Sequence, residues 1–325
     1  MIYLSILKGG LNAWALRPEY NPVSFLSTAQ PPPQGFAIRE PFTLGYNTKR
    51  RGLIIMPIPQ SLRQSITHVR RHHYQGGQWW AEEVEVVREE ALTLFINGHE
   101  FVTMVVTPTD LEELVTGFLA SENFISRADA ITVFQHHPGT QQIWVRVPGL
   151  DPTRITQTGT RYLSSCCGRG RPGFYFIEDA NISPLVVEPL SHPLTAEAMT
   201  TLFEEFSQWT HQQHSGGLHA AGLAYGATLL TIRTDAGRHN ALDKLYGYCL
   251  RQQIHLSDKA IVFSGRLSSE VILKAGRMGI PLIISNAAPT NLGIELAETL
   301  GITAVGFARN HELSVYSHPE RILPF

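Results

Sequence analysis

Cysteine is scarce in this sequence, with three in 325 residues. An odd count that includes the neighbours Cys166 and Cys167 excludes the disulfide framework of small secreted domains and implies a reducing compartment with at least one free thiol. No C-x-x-C occurs, and adjacent cysteines span one tetrahedral centre poorly. The 14 histidines therefore do not complete a zinc site, and no structural metal is expected. Long apolar runs are also missing. None reaches 18 residues, and Leu11–Leu16 is broken by Asn12 and closed by Arg17, which argues against a spanning helix or a secretory leader and points to the cytoplasm, with no membrane partner. Charge of one sign is not in excess: 26 Lys and Arg face 28 Asp and Glu, and 43% of residues are hydrophobic. That profile excludes general disorder and allows a large core. Neither G-x-x-x-x-G-K-[ST] nor G-x-G-x-x-G is present, so ordinary NTPase and dinucleotide-dehydrogenase readings lose their main support.

What is there is unevenly distributed. Residues 1–78 carry nine Lys and Arg against Glu19 and Glu40, and eight of the 20 prolines. They show no sustained period and read as a basic, Pro-rich, irregular extension. Nothing in it resembles an RNA or DNA module, so no nucleic-acid partner is expected. Met56 is a candidate native start, which would make residues 1–55 an extension of the reading frame. Residues 79–158 read as a small α+β module: strands at Glu85–Val87, Leu92–Ile96 and Phe101–Val106 with an Asn97-Gly98 hairpin turn, a helix from Leu111, and strands at Ala130–His136 and Gln142–Val147. Residues 159–194 form a linker whose Gly/Ser/Arg segment, Gly159–Gly173, reads as a mobile loop. Residues 195–325 alternate helix and strand, beginning with an amphipathic helix whose Met199, Leu202, Phe203 and Phe206 make one apolar stripe. That alternation predicts right-handed crossovers, a mostly parallel sheet in a three-layer α/β module, and ligands at the C-terminal strand edges.

Cys166 and Cys167 sit in Leu163-Ser164-Ser165-Cys166-Cys167-Gly168-Arg169-Gly170-Arg171. Arg169 and Arg171 would stabilise a thiolate, the form that attacks sulfur, so the pair reads as an activated nucleophile. The bland alternative is that one cysteine is a small buried side chain. Cys249 lies on the apolar stripe of the His239–Gln252 helix and reads as core. Four polar-glycine clusters stand where a strand or turn meets the next element: Ser215-Gly216-Gly217-Leu218-His219, Asp235-Ala236-Gly237-Arg238-His239-Asn240, Ser264-Gly265-Arg266-Leu267-Ser268 and Ala287-Ala288-Pro289-Thr290. Backbone amides at such helix starts, with Arg238, Arg266 and Lys244, suit phosphate groups, and a large anionic ligand is expected.

In this order the clusters resemble the family of formate dehydrogenase accessory sulfurtransferases called FdhD, over about residues 82–321. The run Gly237-Arg238-His239-Asn240-Ala241 with Asp243-Lys244 is its most specific carrier. The resemblance implies a sulfurtransferase that accepts persulfide sulfur from an L-cysteine desulfurase and passes it to the molybdenum bis(molybdopterin guanine dinucleotide) cofactor of a formate dehydrogenase catalytic subunit. It also implies a homodimer with a second module similar to the cytidine deaminases. The family's persulfide cysteine falls on Cys166, with Cys167, Arg169 and Arg171 as auxiliaries. Its cofactor-binding stretch falls on Phe307, Ala308, Arg309, Asn310, His311 and Glu312, beside Gly216, Gly217, His219, Gly237, Arg238, His239, Ser264, Gly265 and Arg266.

The chain departs from that family in two places. Many members carry C-x-x-C, whereas three residues after Cys166 stands Arg169, and a vicinal Cys166–Cys167 disulfide would close only a strained ring. The usual E-D-V-G-R-H-N here begins Thr234-Asp235-Ala236, one acid fewer. A deaminase reading fails for want of H-x-E and P-C-x-x-C: His239 is followed two later by Ala241. The other alternative is a chaperone that binds the molybdenum cofactor without moving sulfur.

Overall fold

A computed structural model describes residues 65–156, 161–163, 187–211 and 217–323. Its first elements correct the expectation of irregular chain up to residue 78. β1 (Ile66–Gln75) and β2 (Gln78–Val87) pair antiparallel over ten positions. Gly76 and Gly77, both at positive φ, supply the turn whose twist matches the strands. Val69, Tyr74, Trp79 and Trp80 are exposed. With neither face on a core, the ribbon has no hydrophobic alternation to announce it; its only sequence signal is Gly-Gly between β-forming residues.

β3 (Glu90–Ile96) and β4 (His99–Val106) form the hairpin foreseen around Asn97-Gly98, with φ of 50° and 89°. Leu92, Leu94 and Ile96 alternate inward against Leu114, Val115, Phe118 and Leu119 of α1 (Leu111–Ser121), all buried. β5 (Val133–His137) and β6 (Gln142–Arg146) follow, then the short α2 (Pro152–Thr156) and β7 (Arg161–Leu163). The sheet order is β5-β6-β3-β4-β7. β7, absent from the sequence reading, runs parallel to β4 with Leu163 opposite Met104.

The second sheet is built from α3 (Ala196–His211), β8 (His219–Tyr225), β9 (Thr228–Asp235), α4 (Arg238–Arg251), β10 (Ala260–Phe263), α5 (Ser269–Met278), β11 (Leu282–Ser285), α6 (Asn291–Leu300), β12 (Thr303–Arg309) and β13 (Glu312–Val315). The strand order is β9-β8-β10-β11-β12-β13. The expectation of a mostly parallel sheet is corrected: only β10–β11 and β11–β12 are parallel, and β8–β9, β8–β10 and β12–β13 are antiparallel. The reason is topological. β9, β10, β11 and β12 all run in one direction, as strand-helix-strand alternation requires. The hairpin partner β8 then inserts between β9 and β10, and β13 folds back at the far edge. Tight hairpins can only be antiparallel.

Helix α3 covers one face of this sheet, where Met199, Leu202, Phe203 and Phe206 meet Ala220, Val262, Ile284 and Val305. Helices α4, α5 and α6 cover the other, and their core is continuous with that of the first sheet through α1. α1 and α4 cross at very short range: a β-carbon on Gly117 would stand 1.8 Å from the Asp243 carbonyl oxygen, and one on Gly247 would stand 1.8 Å from that of Glu113. Around the crossing, Arg233 of β9 donates to both carboxylate oxygens of Glu113 and lies over the Tyr248 ring. Among the described residues, no helix is long and apolar enough to cross a membrane.

Candidate functional site

Because β9, β10, β11 and β12 share one direction, their C-terminal ends gather on a single edge of the sheet, and the antiparallel β8 starts there. This edge joins three of the four polar-glycine clusters and the start of β8 into one rim. Ser264, just past β10, donates its N–H to Ala220 O, and its Oγ accepts the Ala220 N–H at 2.8 Å. Ser285 Oγ, at the end of β11, donates to Gly265 O at 2.8 Å and accepts the Ala287 N–H at 3.1 Å. Leu267 N donates to Ala288 O, and Phe307 N donates to Ala287 O. Each loop is thus tied to its neighbour, and helices α4, α5 and α6 all begin at this edge. Thr290 caps α6 through the Gly293 N–H at 3.1 Å, while Gly237 and Ser268 give α4 and α5 no side-chain cap. Uncapped N-terminal amides carry the positive end of a helix.

The Gly237–Lys244 run divides cleanly by role. Asp235 is fully buried. One of its oxygens accepts Gly237 N at 2.8 Å and Asn240 Nδ2 at 3.0 Å; the other accepts Thr107 N at 3.0 Å and lies 2.8 Å from Lys244 Nζ. Lys244 is itself buried and donates to Thr107 O and Thr234 O at 3.0 and 3.2 Å. The expectation that Lys244 helps cradle phosphate is therefore corrected: its charge is spent on Asp235, and it anchors the turn. Asn240 is likewise structural, its Nδ2 donating to Val105 O at 2.9 Å. Asp243 accepts Ser121 Oγ at 2.7 Å and pairs with Lys274; burial nonetheless pushes its carboxyl above the usual range, opposed by Lys274 and Ser121. Arg238 and His239, in the first turn of α4, lie on the rim. His239 Nε2 lies 3.0 Å from Glu270 Oε2 but off the axis of a hydrogen bond.

The structure brings His219, Gly237, Arg238, His239, Ser264 and Gly265 together, with Arg266 exposed beside them. Phe307 to Glu312 is the β12–β13 hairpin at the same edge. Phe307 takes φ 52° with its ring partly exposed, Asn310 and His311 make the turn at φ 51° and 59°, and the register shifts between Gly306 and Arg309. Ala308 is buried and offers only backbone. This hairpin and the first turns of α3 enclose a groove of about 580 Å³ lined by Glu197, Thr200, Thr201, Phe307, Arg309, His311 and Glu312. The groove opens on the α3 face of the sheet, whereas α4 and Arg238 belong to the opposite face. The two halves of the candidate site therefore meet only along the edge. Gly217 is exposed on the approach to β8.

Cys166, Cys167, Arg169, Arg171 and Gly216 lie outside the described residues. Cys249, the remaining cysteine, is fully buried, and burial pushes its thiol up to about 12. It is core, as its helical position indicated, and it stays a thiol at any physiological pH. We expect Cys249 to resist iodoacetamide in the native state at pH 8 and to react only after unfolding. Cys249→Ala should cost about 1 kcal/mol in denaturant melts. No group of three or more His, Cys, Asp or Glu that could hold a metal occurs among the described residues.

A model of the FdhD/NarQ family matches residues 87–323. The sulfur carrier protein FdhD of Bacillus subtilis is 44% identical over 252 residues, covering 77% of this chain and 94% of that protein. Its counterpart in Bacillus pumilus is 42% identical over 252 residues, with 77% and 95% covered. A crystal structure described as a formate dehydrogenase accessory protein from Desulfotalea psychrophila superposes with a TM-score of 0.61 at 25% identity, covering 79% of this chain and 99% of that one.

Proposed function

The chain belongs to the FdhD/NarQ family, and from that premise we propose that it is a cytoplasmic sulfurtransferase of formate dehydrogenase maturation, with Cys166 as the carrier thiol. In this reading the Cys166 thiolate attacks the outer sulfur of a persulfide on an L-cysteine desulfurase. The donor S–S bond breaks as the new one forms, and the sulfur is then handed to the molybdenum bis(molybdopterin guanine dinucleotide) cofactor, the bound substrate, destined for the formate dehydrogenase catalytic subunit. The protein works as a homodimer, and its second module keeps the layering of the cytidine deaminases without their hydrolytic residues.

The observation that carries the reading is the direction of β7. It runs parallel to β4, which ends where Thr107 meets Asp235 of the rim. The chain leaves β7 at Leu163, heading toward that edge, and Cys166 follows three residues later, a reach of about 10 Å. Cys249 is ruled out by burial and by its raised pKa, which leaves the adjacent pair to supply a reactive thiol. The substrate's size also fits a divided site. A groove of about 580 Å³ suits one nucleotide, with Arg309 for phosphate and the Phe307 ring for a base, and the rest of the bis-dinucleotide extends along the rim toward Arg238 and the open amides of α4 and α5.

Incubation with a cysteine desulfurase and cysteine, followed by mass spectrometry, should find one added sulfur on the peptide holding Cys166. Cys166→Ala should abolish that sulfur and formate dehydrogenase activity in the host while cofactor binding persists. Sulfur found only on Cys167 would overturn the assignment. Unimpaired formate dehydrogenase activity in Cys166→Ala would favour a chaperone that binds the cofactor without moving sulfur.

A further inference from the structure

The tip of the β1–β2 ribbon carries aromatic side chains that stand in the open. Trp79 is 69% exposed, Tyr74 57% and Trp80 40%. The register puts Tyr74 opposite Trp79 on one face, their ring centroids 5.0 Å apart, and His73 opposite Trp80 on the other, 4.6 Å apart. Aromatic side chains on both faces of a narrow tip suit insertion into a cleft, and exposed clusters of this size mark interaction sites. The base of the ribbon stands at the rim. β2 leads through Arg88 into β3, whose first residue, Glu90, pairs with Val106 at the end of β4. The next residue, Thr107, donates its N–H to Asp235 of the rim, and Ser65 O closes the base by accepting the Arg88 N–H. Ten residues per strand make an arm of about 33 Å.

Charge and area narrow the occupant. Arg70 and His72 share the Tyr74 face, are exposed, and among the described residues form no ion pair. Arg71, on the other face, donates to Glu82 at 2.8 Å. The unpaired bases therefore flank the Tyr74–Trp79 pair, and Trp, Tyr and Arg are the residues that anchor protein interfaces. A nucleic acid or an anionic bilayer fits less well, because Glu82, Glu83 and Glu85 stand across from Arg71, Arg70 and His68 and would meet its phosphates. A second copy is short of area. The three aromatics expose about 400 Å² between them, so tip-to-tip contact would bury about 800 Å², below the ~1,200 Å² at which stable interfaces begin.

We propose that the ribbon tip is the docking element for the protein that brings sulfur to this chain, with Tyr74 and Trp79 entering an apolar cleft edged by carboxylates that face Arg70. The inference rests on the sulfur-carrier reading and adds a partner surface to it. In that reading the donated sulfur belongs to a protein-bound persulfide, so a whole protein has to reach the rim and leave again, whereas the acceptor cofactor is a bound small molecule. An arm rooted at the rim, with a contact too small for a lasting complex, matches a donor that dissociates after each transfer.

The test compares wild type with full-length Tyr74→Ala/Trp79→Ala, using purified L-cysteine desulfurase and cysteine as the sulfur source. The Kd for the desulfurase in calorimetric titration, and its KM in sulfur loading, should rise about 30-fold, with kcat unchanged. Loading from a free low-molecular-weight persulfide, which needs no docking, should keep the wild-type rate. Arg70→Glu should raise the Kd about tenfold at low salt, and the difference should shrink at high salt. An unchanged Kd in the double variant would overturn the proposal. So would slower loading from the free persulfide, which would place the damage in the transfer site, or conversion of a dimer to a monomer in light scattering, which would give the tip to a second copy. Weaker binding of the formate dehydrogenase catalytic subunit, with the desulfurase unaffected, would overturn it too. A wild type that takes sulfur from neither source would instead sink the carrier reading, and the Kd comparison would still decide the docking surface.

Discussion

Gly117→Ala is expected to be among the most damaging single methyl additions at the described residues. The new β-carbon would stand 1.8 Å from the Asp243 carbonyl oxygen and 2.7 Å from Gly247 N. Both are backbone atoms of α4 and cannot rotate away. The helices would have to part by more than an ångström, against the Glu113–Arg233 pair and the Ser121–Asp243 hydrogen bond that clamp the same crossing. Overpacking of this kind costs about 3 kcal/mol or more, a large share of the ~5–15 kcal/mol that holds a typical domain. Gly247→Ala meets the Glu113 carbonyl at the same distance and should cost as much. Gly139→Ala is the control: nothing stands within 4 Å of its added carbon, and its urea midpoint should match the wild type. Equal midpoints for Gly117→Ala and Gly139→Ala would show that the two helices do not cross this closely. The site would feel the damage too, because α4 carries Gly237, Arg238 and His239 at its start.

Lys244→Met ranks second. It leaves Asp235 buried with three N–H donors and no cation, and removing one partner of a buried pair costs about 3–5 kcal/mol. Asp235→Asn should be comparably damaging, because it strands the Lys244 charge. The double variant Asp235→Asn/Lys244→Met keeps an amide oxygen for part of the network and buries no charge. It should be more stable than the sum of the singles by about 1–3 kcal/mol. Strict additivity in a denaturation cycle would refute the coupling. The single variants should also loosen the loop between β9 and α4. Hydrogen exchange at Gly237 and Arg238 should therefore speed up before global unfolding does.

These two cases mark where sequence reading stopped. The run Gly237–Lys244 stood out, and its lysine looked like a phosphate ligand. The Asp235 that neutralises it lies nine positions upstream on a neighbouring strand, and only the fold turns the two side chains toward each other. Arg238, His239 and Ser264 stood out in the sequence as polar residues beside glycines at element boundaries, and the fold gathers them on one rim. Asn240, which stood in the same run, is a brace for Val105. Gly117 drew no attention, since a glycine inside a helix pattern gives no sign of what approaches it. The ribbon of β1 and β2 escaped for the opposite reason: with no buried face, it imposes no period on its residues.

Local pattern was sufficient for the elements themselves. Apolar residues recurring every three or four positions must share a helix face that water disfavours, so the apolar stripe of α3 and both ends of α4, to within a residue, were readable, and the burial of Cys249 with them. Turn dipeptides such as Asn97-Gly98 announced themselves because few other residues tolerate positive φ. Tertiary structure alone decided that β8 slips between β9 and β10, that four strands end on one edge, and that the Phe307–Glu312 hairpin faces a groove on the α3 side. Strand order, buried charge pairing and helix crossing distance depend on contacts between residues far apart along the chain, and the free energy of such contacts leaves no periodic trace in the sequence.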